Sequence, residues 1–262
     1  MILEAIKKGF GVASKSLGLV SVMFIFNLIF NLASMPFVVK PGMPPTTQLT
    51  AGAITFSLIF ILISVFVQGG ALALVRDAVK EGRMKLSKFA SYGLKYYLRL
   101  LGLGILIILI IAVIAVFAAL LIAGTAPINN AIVTAIAVTV AIAVFVVVGL
   151  LYFIPFAMSP YALVCDDTKV IESMKKSLKL VRTPFSRVWL LIALFVALIL
   201  ISLGIGFVIG FLVGMIAAVL PAAVGQILMS IATSAVNGYL GVVMMTSFMV
   251  FYLGLTEKPK AV

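Results

Sequence analysis

Residues 100–123 read LLGLGILIILIIAVIAVFAALLIA, a run without a single charged or hydrogen-bonding side chain. About 20 apolar residues carry a helix across the hydrocarbon of a bilayer, so this run is long enough for one crossing. The charge-free stretch continues to Cys165, 66 residues in all between Arg99 and Asp166, and a second of 69 residues lies between Arg187 and Glu257. Each holds two crossings and a turn. The whole chain of 262 residues is 65% hydrophobic and 10% charged, with a mean hydropathy of +1.35. Soluble domains run nearer half apolar and a quarter charged. The expected fold class is therefore all-α, a polytopic membrane protein forming one membrane domain over 1–262.

Uncharged runs predict six spans, near Leu17–Val38, Ile54–Val75, Leu101–Ala123, Ala131–Phe156, Val188–Ala218 and Ala222–Leu255. Pro41, Pro44 and Pro45 make the first connection non-helical. Of 19 Lys and Arg, Lys40 alone falls on the side of the short, neutral loops, while all seven acids share the other side. Positive charge marks the cytoplasmic face, which predicts a cell-membrane protein with both termini cytoplasmic. Tyr92, Tyr96, Tyr97, Tyr152, Tyr161, Tyr252 and Trp189 cluster toward that face, as amphipathic rings do. Met1–Lys15 lacks the apolar core of a cleaved signal. The net charge of +12 flanks membrane segments and does not point to nucleic acid.

Three amphipathic stretches precede the odd-numbered spans. Glu4, Lys7, Lys8, Gly11 and Lys15 share one helical face, and Ile2, Ile6, Phe10, Ala13 and Leu17 the other. Lys88, Ser91, Lys95 and Arg99 form a second stripe against Leu86, Phe89, Tyr96, Tyr97 and Leu100. Glu172, Lys175, Lys176 and Lys179 oppose Val170, Ile171, Met174, Leu178 and Val181. Ser87 and either Asp167 or Thr168 suit the N-caps of the second and third, and Pro184 ends the third. Ala73-Leu74-Val75-Arg76-Asp77 matches Ala162-Leu163-Val164-Cys165-Asp166 at an offset of 89 residues, with Lys80, Lys169 and Lys258 at the same offset. This predicts a threefold internal repeat of interfacial helix plus hairpin, over about 1–83, 84–166 and 167–262.

Within the spans, Ser202, Gly206, Gly210, Gly214 and Ala218 recur every fourth residue, a spacing that lets helix backbones approach closely. The ridge fits span six, where Ser230, Ser234 and Gly238 form its counterpart, or another subunit; the intramolecular contact is the expectation. Spans five and six exceed what a bilayer needs, so they tilt, extend, or break near Gly204 and Gly206 and near Asn237-Gly238. No Asp, Glu, Lys, Arg or His sits in any span, which disfavours proton relays and most ion-coupled mechanisms. The strongest intramembrane polar groups are Asn27, Asn31, Gln68 and Asn237. Interhelical hydrogen bonding is the plainer account of them; the functional one is a polar lining for a pore or headgroup path.

The chemistry-bearing inventory is thin, with no His and one Cys, Cys165. Asp77 and Glu81 stand four apart and suit a shared cation, although Arg76 and Lys80 make salt bridges the simpler reading. No metal, cofactor or catalytic residue is expected, and the protein is read as non-enzymatic. The basic helices offer Lys7, Lys8, Lys15, Lys88, Lys95, Arg99, Lys175, Lys176, Lys179 and Arg182 to anionic headgroups. The expected partners are anionic membrane lipids or an acidic protein, with oligomerisation or a partner subunit left open. The rival reading is an uncoupled pore or permease for a small solute or ion.

Pro160-Tyr161-Ala162-Leu163-Val164, followed by Glu172-Ser173-Met174-Lys175-Lys176-Ser177-Leu178-Lys179-Leu180, resembles the membrane domain of some glycerophosphoryl diester phosphodiesterases and of related stand-alone bacterial and archaeal membrane proteins. The resemblance covers this segment and, more loosely, the hairpin order. The chain departs from it at Thr183-Pro184, where a glycine often follows the helix. No soluble phosphodiesterase domain accompanies it here, so the resemblance implies a lipid or envelope role and no catalytic residues.

Overall fold

The computed structural model describes residues 2–37, 47–125, 130–148, 156–182 and 186–256. These form nine α-helices and no strand: α1 Ile2–Lys15, α2 Leu17–Ser34, α3 Thr47–Glu81, α4 Phe89–Ala123, α5 Ala131–Val148, α6 Ser159–Asp166, α7 Val170–Arg182, α8 Ser186–Ala217 and α9 Ala222–Thr256. Short 3-10 turns at Met35–Phe37 and Leu86–Lys88 follow α2 and lead into α4. Five segments are long and apolar enough to cross a membrane: Leu17–Phe37, Ala51–Glu81, Leu86–Ala123, Trp189–Ala217 and Ala222–Thr256. The stretch expected as span four is represented by the shorter apolar helix Ile132–Phe145, and its residues 149–155 lie outside the described set. So do the proline-bearing connection with Lys40, Thr183-Pro184, Lys258 and the Arg182 side chain.

Two compact units divide the chain, one of Met1–Tyr97 with Ala193–Val262 and one of Leu98–Ile192. In the first, α9 is the central helix. Its second half buries residues on every side, among them Leu240, Val243, Ser247, Phe251 and Tyr252. Small residues set the approach of its neighbours. A Cβ on Gly238 would stand 2.8 Å from the backbone N of Phe24, so α2 and α9 touch backbone to backbone. A Cβ on Gly9 would stand 2.7 Å from the carbonyl oxygen of Val243, so α1 does the same. The α2–α3 pair is held by a phenylalanine stack in which Phe30 lies 3.6 Å from Phe60 between centroids, flanked by Phe26, Phe56 and Phe37.

Several sequence expectations shift in register. The buried stripe of α1 is Ala5, Gly9 and Ala13; Ile2, Ile6 and Phe10 are half-buried and Leu17 is exposed. Close packing on a helix backbone selects the smallest side chains, which a hydrophobicity count ranks low. The second basic stretch is no separate helix. It is the first turns of the unbroken 35-residue α4, because nothing between Arg99 and Leu101 interrupts the hydrogen-bond ladder. Ser87 sits inside the 3-10 turn rather than capping it. By contrast Ser16, at φ −112° and ψ 48°, separates α1 from α2.

The second unit contains α4 from Leu98, then α5, α6 and α7. Asn130 caps α5, its Oδ1 accepting from the Ile132 amide at 2.9 Å. Asp167 adopts a left-handed φ of 52° and closes α6, so it does not cap α7; Thr168 donates back to the Ala162 carbonyl at 3.4 Å. In α7 the buried face is Ser173, Met174 and Ser177, whereas Ile171 is exposed. In the other unit, α8 and α9 run without a break through Gly204, Gly206 and Asn237-Gly238.

Candidate functional site

Lys7, Lys8 and Lys15 come together at the junction of α1, α2 and the end of α3. They line one cavity of about 660 Å³ whose other walls include Val12, Leu17, Leu19, Met84 and Leu86. The local sequence explains the arrangement. Ala5, Gly9 and Ala13 turn one face of α1 onto α9, which leaves Lys7, Lys8, Gly11 and Lys15 exposed on the other. Gly82, at φ +67°, ends α3 in a conformation that suits glycine and turns the chain toward Met84 and Leu86. Leu86 then reaches over Gly18, where a Cβ would lie 3.2 Å from its Cδ2. Lys8 also lies 3.7 Å from Glu4, an exposed i,i+4 pair that leaves the cation accessible.

The remaining basic candidates divide by what they touch. Lys88 stands over the Tyr92 ring at 5.8 Å and Lys95 over Tyr96 at 5.0 Å. Arg99 pairs with Asp167 at 2.7 Å and Lys176 with Asp166 at 3.0 Å, so both are engaged within the second unit. Lys175 and Lys179 are exposed on α7. Burial pushes the Tyr161 hydroxyl above its ordinary range, with a smaller contribution from Cys165, and keeps it neutral.

Sequence reasoning anticipated a salt bridge at Asp77 and missed the tyrosines that join it in a polar cluster. Asp77, buried between α3 and α4, accepts on Oδ1 from Arg76 Nε at 3.0 Å and Nη2 at 2.7 Å, and on Oδ2 from the Tyr92 hydroxyl at 2.8 Å. Arg76 Nη1 donates to the Tyr96 hydroxyl at 2.9 Å, and the guanidinium stacks 5.4 Å from the Tyr92 ring. Asp77 is thus committed to Arg76 and a tyrosine, and Glu81 is exposed. Among the described residues no group of three His, Cys, Asp or Glu is placed to hold a metal ion. The signal was the Arg-Asp dipeptide at a helix end followed by tyrosines at 92 and 96, one face of the next helix.

The four amides expected within spans do not share one lining. Asn31 donates from Nδ2 to Ser234 Oγ at 2.8 Å, joining α2 to α9, while Asn27 donates to the Met23 carbonyl of its own helix at 2.7 Å. Gln68 and Asn237 are exposed. The glycine ridge of α8 also departs from expectation. A Cβ at Gly206, Gly210 or Gly214 would meet nothing within 4 Å, so the ridge does not pack closely on α9. The facing residues of α9 are already used, Ser234 by Asn31 and Gly238 by Phe24. Gly206 and Gly210, with Asn237, instead line an open groove of about 250 Å³.

A family described as a domain of unknown function (DUF7847) matches residues 1–255. The chain belongs to that family. No curated protein and no solved structure matches it. The match to this family includes the basic pocket, the Arg76–Asp77 cluster and both helices of the groove.

Proposed function

We propose that this is a non-enzymatic integral membrane protein that binds anionic lipid headgroups, or an acidic partner, at its basic pocket. The observation that carries the reading is the convergence of Lys7, Lys8 and Lys15 on one cavity with apolar walls. A phospholipid has the same division, an anionic head and an apolar chain, and each lysine near a membrane surface is worth about 1 kcal/mol toward it. The first turn of α2 lines the same cavity at Leu17 and Gly18, and helix N-termini favour anions. On the second unit, Lys175 and Lys179 of α7 are exposed and offer the same chemistry.

In this reading the chain crosses the cell membrane six times, with span four completing α5, and both termini lie in the cytoplasm. α1, the start of α4 and α7 are three related basic segments, fused to the following span only in the middle case. Asp77 and Asp166, equivalent at the 89-residue offset, each follow a buried helix segment, Asp77 pairing with Arg76 and Asp166 with Lys176. The resemblance to the phosphodiesterase-associated membrane domain favours a lipid role.

The test is binding of the purified protein to phosphatidylcholine vesicles with and without phosphatidylglycerol, read by retained lipid in native mass spectrometry. The triple variant Lys7→Gln, Lys8→Gln, Lys15→Gln should lose roughly 100-fold in affinity for the anionic lipid at low salt. Unchanged retention in a folded triple variant would overturn the proposal.

A further inference from the structure

At the other end of α9 from the basic pocket lies a cavity of about 730 Å³, lined among others by Asn31, Ser34, Gln226, Ser230 and Thr233. It adjoins the groove between α8 and α9, since Met229 and Thr233 line both. From Gln226 to Met244 the combined trough follows α9 for about 27 Å. Its two parts differ in degree. Both are mostly apolar, the end carrying the larger share of amides and hydroxyls; the groove stays open because Gly206 and Gly210 present no side chain to it. Among the described residues, neither part is lined by an ionisable side chain.

We infer that this trough binds one lipid with an uncharged, hydroxyl-bearing headgroup, of the diacylglycerol class, its head among Asn31, Gln226 and Thr233 and one acyl chain along the glycine floor. Charge selects the head. A phosphate placed here would be partly desolvated with no cation among the described lining residues to pair it, whereas a hydroxyl both donates and accepts and so suits amide and hydroxyl partners. Asn31 spends one Nδ2 hydrogen on Ser234, which fixes the amide at the cavity wall. Continuity places the chain. The groove continues the cavity along α9, so a chain attached to a head held near Gln226 runs over the Gly206 and Gly210 floor. The site rests on the amide-bearing cavity and its more apolar continuation, with the glycines accounting only for the width. It is independent of the basic pocket in residues and in ligand charge.

The experiment uses the full chain in phosphatidylcholine vesicles doped with diacylglycerol carrying a diazirine in one acyl chain, with adducts mapped by peptide mass spectrometry after irradiation. Adducts are expected on residues 202–210 and 229–244, several-fold more abundant than with phosphatidic acid bearing the same chain. Gly206→Leu with Gly210→Leu fills the groove and should reduce labelling several-fold. The alanine pair at the same positions adds methyls that meet nothing within 4 Å, keeps the fold, and should give an intermediate loss. Gln226→Leu with Thr233→Val should erase the headgroup preference while chain labelling persists. The lysine-to-glutamine triple variant should label as the parent does, which separates this site from the basic pocket. Equal labelling by both headgroups, labelling unchanged in the leucine and alanine pairs, or cross-links between two copies in place of lipid adducts would overturn the inference.

Discussion

At the scale of single residues, packing between α3 and α4 turns on two glycines, each facing a phenylalanine. Phe66 of α3 rests on Gly93 of α4, where a Cβ would lie 2.6 Å from the ring; Phe89 of α4 rests on Gly70 of α3, where a Cβ would lie 2.8 Å from the Phe89 carbonyl oxygen. The two rings meet edge to face at 6.2 Å. The obstacles differ in kind. A methyl at Gly93 presses on the far end of a side chain that is free to turn, whereas a methyl at Gly70 presses on backbone that is not. Overpacking of this sort costs about 1–3 kcal/mol. Gly70→Ala should therefore lower the thermal midpoint of the detergent-solubilised protein clearly more than Gly93→Ala does. Equal effects would mean that the α3–α4 crossing opens as a whole. Nothing in the sequence around Gly70 or Gly93 announces this pairing, because a glycine in an apolar helix reads alike whether it faces a ring, a backbone or lipid.

At the scale of elements, the Arg76–Asp77–Tyr92–Tyr96 cluster fastens the end of α3 to the start of α4. Both charged groups are largely withdrawn from solvent, so removing the Asp77 charge takes away a close ionic partner of the guanidinium. Breaking such a pair typically costs roughly 3 kcal/mol or more, whereas losing one neutral hydrogen bond costs about 1 kcal/mol. Asp77→Asn should therefore destabilise the protein markedly more than Tyr92→Phe in thermal unfolding, and Tyr92→Phe in the Asp77→Asn background should add little. Full additivity of the two changes would show that they do not act through one network. The elements themselves were largely legible. The apolar runs predicted α2, α8 and α9 to within about four residues, since uncharged length is what a membrane crossing requires, while α3 runs beyond its expected span at both ends and α4 begins 12 residues before it. Which face of each helix is buried was not legible. Apolar side chains gain little by facing protein rather than lipid, so packing follows small residues and hydrogen bonds instead. That is why Ala5, Gly9 and Ala13 displaced Ile6 and Phe10 as the contact stripe of α1, and why the glycine ridge of α8 looked like a helix contact and proved to be a groove wall.

At the scale of the whole molecule, the proposed six crossings and the five helices that qualify by length make opposite statements about two loops. Arg83 lies in the linker between α3 and α4, and Val219 in the turn between α8 and α9; both are exposed. Three candidate crossings separate them: α4, the stretch 131–156 and α8. If all three traverse the bilayer, the two loops lie on opposite sides. If the stretch 131–156 turns back, only two traversals remain and the loops share a side. Lys15 and Arg83 are separated by α2 and α3 and share a side in either case. In a Cys165→Ser background, single cysteines at Lys15→Cys, Arg83→Cys and Val219→Cys report this directly through a membrane-impermeant maleimide. The segregation of positive charge predicts that Val219→Cys is labelled in intact cells while the other two are labelled only after permeabilisation. Labelling of all three only after permeabilisation would remove span four, keep the basic pocket cytoplasmic, and put α7 and the end of α9 outside. Labelling of Lys15→Cys and Arg83→Cys in intact cells would instead invert the orientation, and would take the basic pocket away from the anionic leaflet on which its proposed role depends.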